Sequence, residues 1–581
     1  MCALSVQAAA NLKAWQGSQF DQATRRAVTA LAKQGDSAVE DAFGDRLMFG
    51  TAGLRGMMGI GPNRLNRYTI AQATEALARY LESQKGSSPP RVLIGYDSRH
   101  QSSQFAEIAA RVLAAHGFDV QLFSQMRPVP WVSFGVRHLG CQAGIMITAS
   151  HNPAIYNGYK VYGPDGAQIV SPADTSIMEQ MQAIADPSII PLAEPDDEHI
   201  TRLFDELDDD YISAIQPLQN RKKENRESGS SLRVLYSSLH GTGITVIDKV
   251  LASWGFTQLA YVASQIIPDG DFPTAPYPNP EKLDAMRLGL EQLEREHADV
   301  LIVNDPDADR IGIACMSHGQ AVRFTGNEFA MLVLHYLGEC WPLQRPKARH
   351  LAAVKTIVTT EGLRAVARRA SIDCFDVLTG FKFIGQLIGQ WEHTKAHTFL
   401  FGGEESYGCL YGTQTRDKDG ICMAALVCEI ALYCKQQGMT LADYWDQIER
   451  QVGVYRNRVT SIEFPETEEG HKQMKTTMEK LRAAPLTTLA DLPVLQIRDY
   501  LQPQPASEVT LPLADVLQIR LPDDSSVIVR PSGTEPKIKI YAEVAEPITS
   551  TERLEATRRK ADDRVEALLK AAENAVRSGS A

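Results

Sequence analysis

Short apolar runs alternate with segments of helical periodicity through most of the chain. Three of these runs begin alike, at residues 91–96, 233–238 and 350–355. Each is followed downstream by a second apolar run that ends in a polar loop, and these loops contain Ser150, Asp305 and Glu404. Repeated strand–helix units predict parallel sheets, and ligands bind at the carboxyl ends of such strands. We therefore expect three related α/β domains whose strand-end loops can face one cleft.

The pattern changes around residues 450–460, beyond which it predicts a smaller α+β domain. That domain ends in a charged amphipathic segment at 551–576, which predicts a surface helix on the last sheet. Two polar stretches, 194–210 and 222–231, predict joints between domains, although the first also fits a solvated helix face. At 581 residues the chain is too long for one core, and its length alone favours three to five domains.

The composition is that of a soluble globular protein, with 44% hydrophobic and 22% charged residues. A net charge of −12 argues against nucleic acid or an anionic membrane as the main partner, but not against a small anionic ligand. Nine cysteines without a CxxC pair predict reduced thiols rather than a disulfide framework. With no convincing signal peptide or membrane-spanning stretch, we expect a cytoplasmic location.

The run Thr-Ala-Ser-His-Asn-Pro occupies residues 148–153 and follows the apolar segment Gly144–Ile147. That segment predicts a buried strand, and Pro153 breaks it, so Ser150 is expected in a turn at the strand's end. A serine there can be a nucleophile, or a turn residue whose hydroxyl caps its own backbone. Taken alone, Ser150 fits the turn interpretation better, and three later loops reverse that preference.

Three carboxylates at alternate positions, Asp305, Asp307 and Asp309, follow the apolar run Leu301–Val303. Holding three anions together without a cation would be costly, and oxygen ligands favour Mg²⁺ over zinc. A calcium EF-hand is excluded because Arg310 stands where that loop needs glycine. The alternative is a solvated acidic turn, which the apolar runs on both sides of the loop disfavour.

Two later loops suit a phosphate and a sugar. Residues 530–537, RPSGTEPK, follow a strand-like run, and their arginine and backbone N–H groups can hold a phosphate, although a hairpin turn is the alternative. Residues 401–408, FGGEESYG, combine glycines with a carboxylate and a hydroxyl, which are natural partners for vicinal sugar hydroxyls. With the serine and the triad, these loops predict phosphoryl transfer on a phosphorylated sugar.

In these motifs the chain resembles the α-D-phosphohexomutase superfamily, and within it the long bacterial phosphoglucomutases. The resemblance rests on six motifs in the right order: FGTAGLRG at 49–56, TASHNP at 148–153, DPDADR at 305–310, TGFKFIG at 379–385, GEES at 403–406 and RPSGTEPK at 530–537. It implies an α/β fold of four domains, three related mixed α/β sheets plus a C-terminal α+β domain, around a central cleft. The domains expected are 1–208 with the phosphoserine loop, 209–324 with the metal loop, 325–452 with the sugar-recognition loop and 453–581 with the phosphate-binding loop.

By this resemblance Ser150 carries a phosphoryl group and binds Mg²⁺ together with Asp305, Asp307 and Asp309. The group passes to a hexose monophosphate, and glucose 1,6-bisphosphate, the intermediate and activator, returns its other phosphate to the serine. Lys160 is the candidate general acid/base, which would need a pKa lowered by neighbouring cations; the alternative is a surface lysine on a strand. Further residues implied in catalysis or substrate binding are Arg55, His151, Arg310, Thr379, Gly380, Lys382, Glu404, Ser406, Lys418, Arg530, Ser532, Gly533 and Thr534.

One position departs from the pattern of the superfamily. Many relatives place a histidine shortly after the glutamate-serine loop, and this chain has Gln414 there. A second acid/base from that side is therefore not predicted, although Lys418 can still line the cleft.

The resemblance implies interconversion of glucose 1-phosphate and glucose 6-phosphate. A phosphomannomutase or a phosphopentomutase would use the same mechanism. A serine-dependent phosphatase would release phosphate without forming an isomer, and a sugar-phosphate sensor would need neither the serine nor the triad. The expected partner is a small hexose phosphate, with no nucleic acid and no membrane, for a monomer or homodimer.

Overall fold

The computed structural model describes residues 4–50, 53–84, 89–345, 350–465, 467–504, 509–533, 536–548 and 553–580. The chain forms two compact units. The first unit comprises residues 1–323, 381–393 and 408–432, and the second comprises residues 324–380, 394–407 and 433–581. Among the described helices, none is both long enough and apolar enough to cross a lipid bilayer.

The first unit contains a seven-stranded mixed sheet. Its strands are β1 (Phe49–Gly50), β2 (Gly53–Met57), β3 (Arg91–Tyr96), β4 (Asp119–Phe123), β5 (Ala143–Ile147), β6 (Tyr156–Tyr162) and β7 (Ile200–Leu203). Their order is β1-β2-β6-β5-β3-β4-β7. Strands β5, β3, β4 and β7 are parallel, whereas β6 and β2 run antiparallel to their neighbours. Because β3 and β5 are nearly continuous buried apolar runs, they suit the middle of a sheet that is covered on both faces.

Eight α-helices precede, connect or follow these strands. They are α1 (Val6–Trp15), α2 (Gln22–Ala32), α3 (Asp36–Phe43), α4 (Arg67–Ser83), α5 (Ser102–Ala115), α6 (Val129–His138), α7 (Ala173–Ala183) and α8 (Glu206–Ile215). The first three helices share a small core in which Trp15 stacks on Phe20 and meets Phe43 edge to face. Helix α4 begins at a capping box in which Asn66 and Thr69 satisfy each other's backbone N–H groups.

A second sheet in the first unit holds five strands. They are β8 (Val234–Ser237), β9 (Leu259–Tyr261), β10 (Val300–Asn304), β11 (Ile311–Ser317) and β12 (Gln320–Arg323), with helices α9 (Lys222–Ser228), α10 (Ile247–Trp254) and α11 (Leu283–Glu296). Their order is β12-β11-β10-β8-β9, and β10, β8 and β9 are parallel. As β6 does beside β5, β11 returns antiparallel to β10. Both sheets therefore place a polar loop after a buried parallel strand.

Both predicted joints contain regular structure, so the flexible segment predicted at 222–231 was wrong, whereas a joint at 194–210 stays a prediction. Residues 194–210 contain β7 and the start of α8, and residues 222–231 contain α9. Asn225 of α9 is buried, and its amide donates to Glu429 at 2.7 Å. The charged and small residues of 222–231 indicated a flexible segment, but a buried hydrogen bond to a carboxylate holds the helix in place.

A third set of strands lies in the second unit. These are β13 (Leu351–Thr356), β14 (Asp373–Val377) and β15 (Thr398–Gly403), which are parallel and ordered β14-β13-β15. This order repeats β4-β3-β5 and β9-β8-β10, which confirms three related α/β sheets. The same stretch of chain holds α12 (Gly326–Gln344), α13 (Glu361–Arg369), α14 (Phe381–Thr394), β16 (Cys409–Tyr411), α15 (Gly420–Gln436) and α16 (Leu441–Val452), of which β16 and most of α14 and α15 belong to the first unit.

The last part of the second unit is an antiparallel sheet covered by helices. Its elements are β17 (Val454–Glu463), α17 (Glu468–Ala483), β18 (Thr488–Leu489), β19 (Leu492–Pro493), β20 (Gln496–Asp499), β21 (Leu517–Arg520), β22 (Ser526–Pro531), β23 (Lys537–Glu546) and α18 (Leu554–Ser580). Five of the strands are ordered β17-β23-β22-β21-β20. Helix α18 packs on this sheet through Val565, Leu568 and other apolar side chains. The predicted terminal helix and α+β domain are confirmed.

Candidate active site

Ser150 lies in the loop that joins β5 to β6, and it is only 3% exposed. Its φ of 53° is a left-handed conformation, which costs a non-glycine residue about 1 kcal/mol. The hydroxyl of Thr148 accepts a hydrogen bond from the Ser150 N–H at 2.8 Å. The predicted turn is therefore present, and it is a strained turn that neighbouring groups must hold.

Three buried carboxylates gather in the loop between β10 and β11. One oxygen from each of Asp305, Asp307 and Asp309 lies within 4.8 Å of the others. The loop turns sharply, because the Ala308 N–H donates to the Asp305 carbonyl at 2.9 Å and Ala308 itself has a φ of 53°. Asn304 at the end of β10 donates to the Arg310 carbonyl at 2.7 Å and closes the base of the loop. The three carboxylates, which alternate in the sequence, therefore converge on one point in the folded loop.

The serine loop and the carboxylate loop meet, although 155 positions separate their central residues. The Ser150 hydroxyl donates to Asp305 Oδ2 at 2.8 Å. Beside it, the Thr148 hydroxyl donates to Asp307 Oδ2 at 3.1 Å. A hydroxyl in direct contact with a buried carboxylate cluster is the central geometric feature of this site.

The triad has the properties of a site for a hard cation. Within the described residues, Asp307 Oδ1 and Asp309 Oδ1 are buried and accept no hydrogen bond. Burial, together with repulsion from Asp307 and Asp309, raises the pKa of Asp305 well above its usual value. A divalent cation would take up the orphaned oxygens and relieve this repulsion, and a set of oxygen donors suits Mg²⁺. The residues therefore fit a metal ion.

Two buried lysines also contact the triad. Lys160, on β6, lies 2.9 Å from Asp307 and 3.2 Å from Asp309. Lys418 lies 3.1 Å from Asp309 and 2.8 Å from Asp417. Burial raises the pKa of Asp309, but the ammonium groups of Lys418 and Lys160 outweigh it and lower that pKa.

The protonation of Lys160 differs from the expectation. Burial lowers its pKa, but Asp307 and Asp309 outweigh burial, and the net shift of the pKa is upward. The expectation of a lowered pKa was therefore wrong, because Asp307 and Asp309 outweigh both burial and the charge of Lys418. At 2% exposure Lys160 is not the surface lysine of the alternative interpretation. Its ammonium group is buried beside the triad.

Three other predicted groups of the first unit, His151, Arg55 and Arg310, lie at or near the serine loop. His151 Nδ1 lies 3.1 Å from the Ser150 hydroxyl. Burial first, and then Arg310, Arg55 and other cations, lower the pKa of His151 well below its usual value, so this imidazole is neutral. Arg55 donates to the Asn152 side chain at 3.2 Å, and Arg310 pairs with Glu281 at 2.9 Å. In the same unit Lys382 pairs with Asp174 at 3.3 Å.

Some residues of the site were not predicted from the sequence. Asp417 accepts from the Tyr162 hydroxyl at 3.0 Å and from Gln168 at 2.6 Å, and it contacts Lys418. Arg99, just after β3, donates to the serine loop. The only signal for Arg99 was its position, because the run Asp97-Ser98-Arg99 follows an apolar strand as Ser150 and Asp305 do.

The second unit holds the predicted sugar and phosphate groups. Glu404 is 7% exposed and accepts from the Gly380 N–H at 3.1 Å, so the loops after β14 and β15 meet. Thr379 and Ser406 belong to the same two loops. Arg530 lies near the end of β22, and the Ser532 N–H donates to the Lys537 carbonyl at 2.8 Å across the loop that also contains Gly533. The predicted phosphate ligand Thr534 lies outside the described residues.

Family comparisons cover most of the chain. Four models match in order: phosphoglucomutase/phosphomannomutase α/β/α domain I at residues 46–188, domain II at 209–318, domain III at 325–451 and the C-terminal domain at 489–561. Phosphoglucomutase of Staphylococcus aureus strain bovine RF122/ET3-1 is 38% identical over 517 residues, which cover 87% of this chain and 91% of that protein. The phosphoglucomutase of S. aureus strain MRSA252 is 37% identical over 538 residues, covering 90% and 95%.

Solved structures match the fold over a similar length. The open form of pp63/parafusin, a phosphoglucomutase from Paramecium, has a TM-score of 0.67 at 17% identity and covers 91% of this chain and 96% of that one. A phosphoglucomutase/phosphomannomutase family protein from Burkholderia thailandensis has a TM-score of 0.62 at 18% identity, covering 90% and 97%. At these identities the two structures support the fold alone.

Proposed function

This chain belongs to the α-D-phosphohexomutase superfamily, and on that premise we propose that it interconverts glucose 1-phosphate and glucose 6-phosphate through a phosphoserine at Ser150. It is a phosphosugar mutase, and phosphoglucomutase is the activity that its curated relatives support. One observation carries the proposal for the residues. The Ser150 hydroxyl, buried in a strained turn, donates at 2.8 Å to a carboxylate of the buried triad.

The superfamily uses a metal ion, and we propose that it is Mg²⁺ in this chain. Asp305, Asp307, Asp309 and an oxygen on Ser150 would hold it. When bound, Mg²⁺ supplies positive charge that offsets the negative charge of a transferring phosphoryl group. Proton transfer, orientation of the serine and recognition of the substrate depend on groups of the protein.

The reaction comprises two phosphoryl transfers. In the first, the bond between phosphorus and Ser150 Oγ breaks as a bond forms to a free hydroxyl oxygen of the hexose monophosphate. The sugar hydroxyl loses a proton and Ser150 Oγ gains one, so the product is glucose 1,6-bisphosphate and a free serine. The bisphosphate then reorients in the site. Its other phosphoryl group passes to Ser150 Oγ, which loses a proton, while the sugar oxygen that is released gains one. The bisphosphate thus also activates an enzyme that has lost its phosphate.

Charged groups around Ser150 are suited to these transfers. Lys160 is the general acid/base of our proposal, and its charged form can protonate the departing serine oxygen. Arg55 and Arg310 add positive charge beside the transferring group, and Lys418 does so from the far side of Asp309. Neutral His151 orients the serine hydroxyl and is not the base.

The second unit supplies most of the substrate recognition in this proposal. Glu404 and Ser406 bind vicinal sugar hydroxyls, with Thr379 and Gly380 in the neighbouring loop of the same unit, and Lys382 of the first unit is a further proposed substrate ligand. Either phosphate of the substrate can occupy the loop after β22, because the mutase must hold whichever phosphate is not reacting. The residues proposed for that loop are Arg530, Ser532, Gly533 and Thr534.

The proposal for the whole chain keeps the predicted domain boundaries at 208, 324 and 452. Its proposed partner is a small hexose phosphate. A cytoplasmic location and a monomeric or homodimeric state are part of the same proposal.

The experiment that tests this proposal measures phosphate on Ser150 and turnover together. Purified protein is treated with glucose 1,6-bisphosphate and analysed by intact mass and peptide mapping, and S150A is assayed in parallel. We expect one phosphoryl group, located on Ser150, and loss of turnover in S150A with the fold retained, because a turn serine contributes little to stability. Ser103→Ala, at an exposed serine on α5, is the matched control and should keep full activity.

Four outcomes would count against the proposal. Phosphate on another side chain, or activity in S150A, would remove the phosphoserine mechanism. Release of inorganic phosphate without isomer formation would indicate a phosphatase. A higher kcat/KM with mannose 1-phosphate or ribose 1-phosphate than with glucose 1-phosphate would change the sugar but keep the mechanism.

A further inference from the structure

Arg99 makes an unusual set of contacts with the serine loop. Its Nη2 donates to the carbonyl oxygens of Ser150 at 2.7 Å and Asn152 at 2.5 Å. Its Nη1 donates to the carbonyl oxygens of Pro153 at 2.9 Å and Tyr156 at 3.0 Å. One guanidinium group therefore contacts four backbone oxygens between Ser150 and the start of β6.

The guanidinium group is itself fixed from the other side. Arg99 Nε lies 3.2 Å from Asp97 Oδ2, and neither side chain is exposed to solvent. Asp97 also accepts from the Ser102 hydroxyl at 2.7 Å and from the Arg99 N–H at 3.0 Å, which ties it to the start of α5. The ring of Phe272 lies 4.8 Å from the guanidinium carbon. The charge of Arg99 is therefore compensated and its orientation is set.

The conformation of the serine loop requires hydrogen-bond donors from outside the loop. Ser150 has a left-handed φ, and its N–H already donates to Thr148. The loop's own backbone bonds, from Asn152 N–H to Ala149 and from Tyr156 N–H to Pro153, leave the carbonyls of Ser150 and Asn152 to other donors. A planar fork with several donors can bind carbonyls that point in different directions, whereas an ammonium group acts as a point charge.

We propose that Arg99 is a positioning residue, which holds the Ser150 loop in the conformation that aims the serine oxygen at the carboxylate triad. This inference rests on the proposed function, since it assigns a task to the loop that carries Ser150. Arg99 contacts no substrate in this role and is not a catalytic residue. Its effect is on the geometry of transfer, where a displacement of about 1 Å can cost on the order of a hundredfold in rate.

The test uses the full-length protein with R99K and R99A. In R99K we expect kcat to fall about a hundredfold while KM for glucose 1-phosphate stays within about threefold of the parent, because substrate contacts are intact. The rate of Ser150 phosphorylation by glucose 1,6-bisphosphate should fall by the same factor. In R99A, millimolar guanidinium ion should restore part of the lost kcat, whereas methylammonium at the same concentration should not. Melting temperatures show that each variant is compared as folded protein.

Arg111→Lys is the matched control. Arg111 lies on helix α5, and its Nε donates to the Ala193 carbonyl at 2.6 Å. Both residues are far from the serine loop in sequence. The same change there should leave kcat unaltered. A folded R99K with parental kcat, or an R99A whose activity guanidinium ion does not restore, would overturn the inference. Where R99A does not fold, R99K alone decides.

The parallel S150A assay separates this inference from the function on which it rests. If S150A is inactive and R99K is fully active, the positioning role fails and the phosphoserine mechanism stands. If S150A is active, the mechanism itself fails.

Discussion

At the scale of single residues, the site is a set of charges removed from water and matched to one another. Burial and repulsion from Asp307 and Asp309 raise the pKa of Asp305, whereas Lys418 and Lys160 lower the pKa of Asp309. The neutral state of His151 has the same origin, since burial and surrounding cations both oppose its protonation. For Asp305 and His151 burial and the nearest charges shift the pKa in the same direction, whereas for Asp309 and Lys160 the nearest charges outweigh burial.

One prediction at this scale concerns the phosphate loop. Replacing Arg530 with alanine should raise KM for glucose 1-phosphate roughly tenfold to a hundredfold, with a smaller change in kcat, because hydrogen bonds from a cation to phosphate are lost. Steady-state kinetics measures both constants. Arg520→Ala, on neighbouring β21, should leave both unaltered. Parental KM and kcat in R530A would remove this arginine from substrate binding.

At the scale of elements, the polar ends of strands and helices are tied by side chains that the hydrophobic pattern does not reveal. His116, which caps α5, lies 2.8 Å from both Glu75 and Glu82 of α4. Burial lowers the pKa of His116, but the two glutamates outweigh it and raise that pKa above its ordinary value. Burial raises the pKa of Glu75, and His116 and Arg79 lower it overall. The histidine therefore links two helices most strongly when it is protonated.

The expected consequence is a pH-dependent stability. A raised pKa in the folded state means that the contribution of His116 is complete below its unfolded pKa and is lost as pH rises through the folded pKa. His116→Gln should therefore cost on the order of 1 kcal/mol near pH 6 and much less near pH 9. Urea unfolding of both proteins at the two pH values measures this. An equal cost at both values would show that the histidine packs without charge, and His138→Gln serves as an exposed control.

At the scale of the whole molecule, binding at the triad is linked to folding. A cation that binds only the folded first unit stabilises it by mass action. Mg²⁺ at about a hundredfold excess over its Kd should raise the Tm by roughly 5 °C. Thermal scans after chelation and after addition of Mg²⁺ test this, with loss of turnover expected on chelation.

A pair of variants locates that effect. Asp307→Asn should remove most of the rise in Tm, because it deletes one ligand charge, whereas Asp209→Asn on the exposed face of α8 should keep it. A Tm that does not respond to Mg²⁺ in the parent protein, or that responds equally in both variants, would place the ion elsewhere.

The sequence by itself determined the features that depend on residues close together in the chain. Alternate spacing brought Asp305, Asp307 and Asp309 into one loop, and the apolar runs before Ser150 and Asp305 fixed the strands that present them. The three related α/β domains and the terminal helix followed from the same periodicity. Local patterns specify these features because strand burial and turn formation depend on residues a few positions apart.

Only the tertiary structure decided which distant groups meet. The contact of Ser150 with Asp305, the pairing of Lys418 with Asp309 and the fork of Arg99 on the serine loop join segments that no local pattern relates. The raised pKa of Lys160 and the helix at 222–231 were mispredicted for the same reason. Burial and the approach of charges across the fold set both outcomes, and these quantities exist only once the chain has packed.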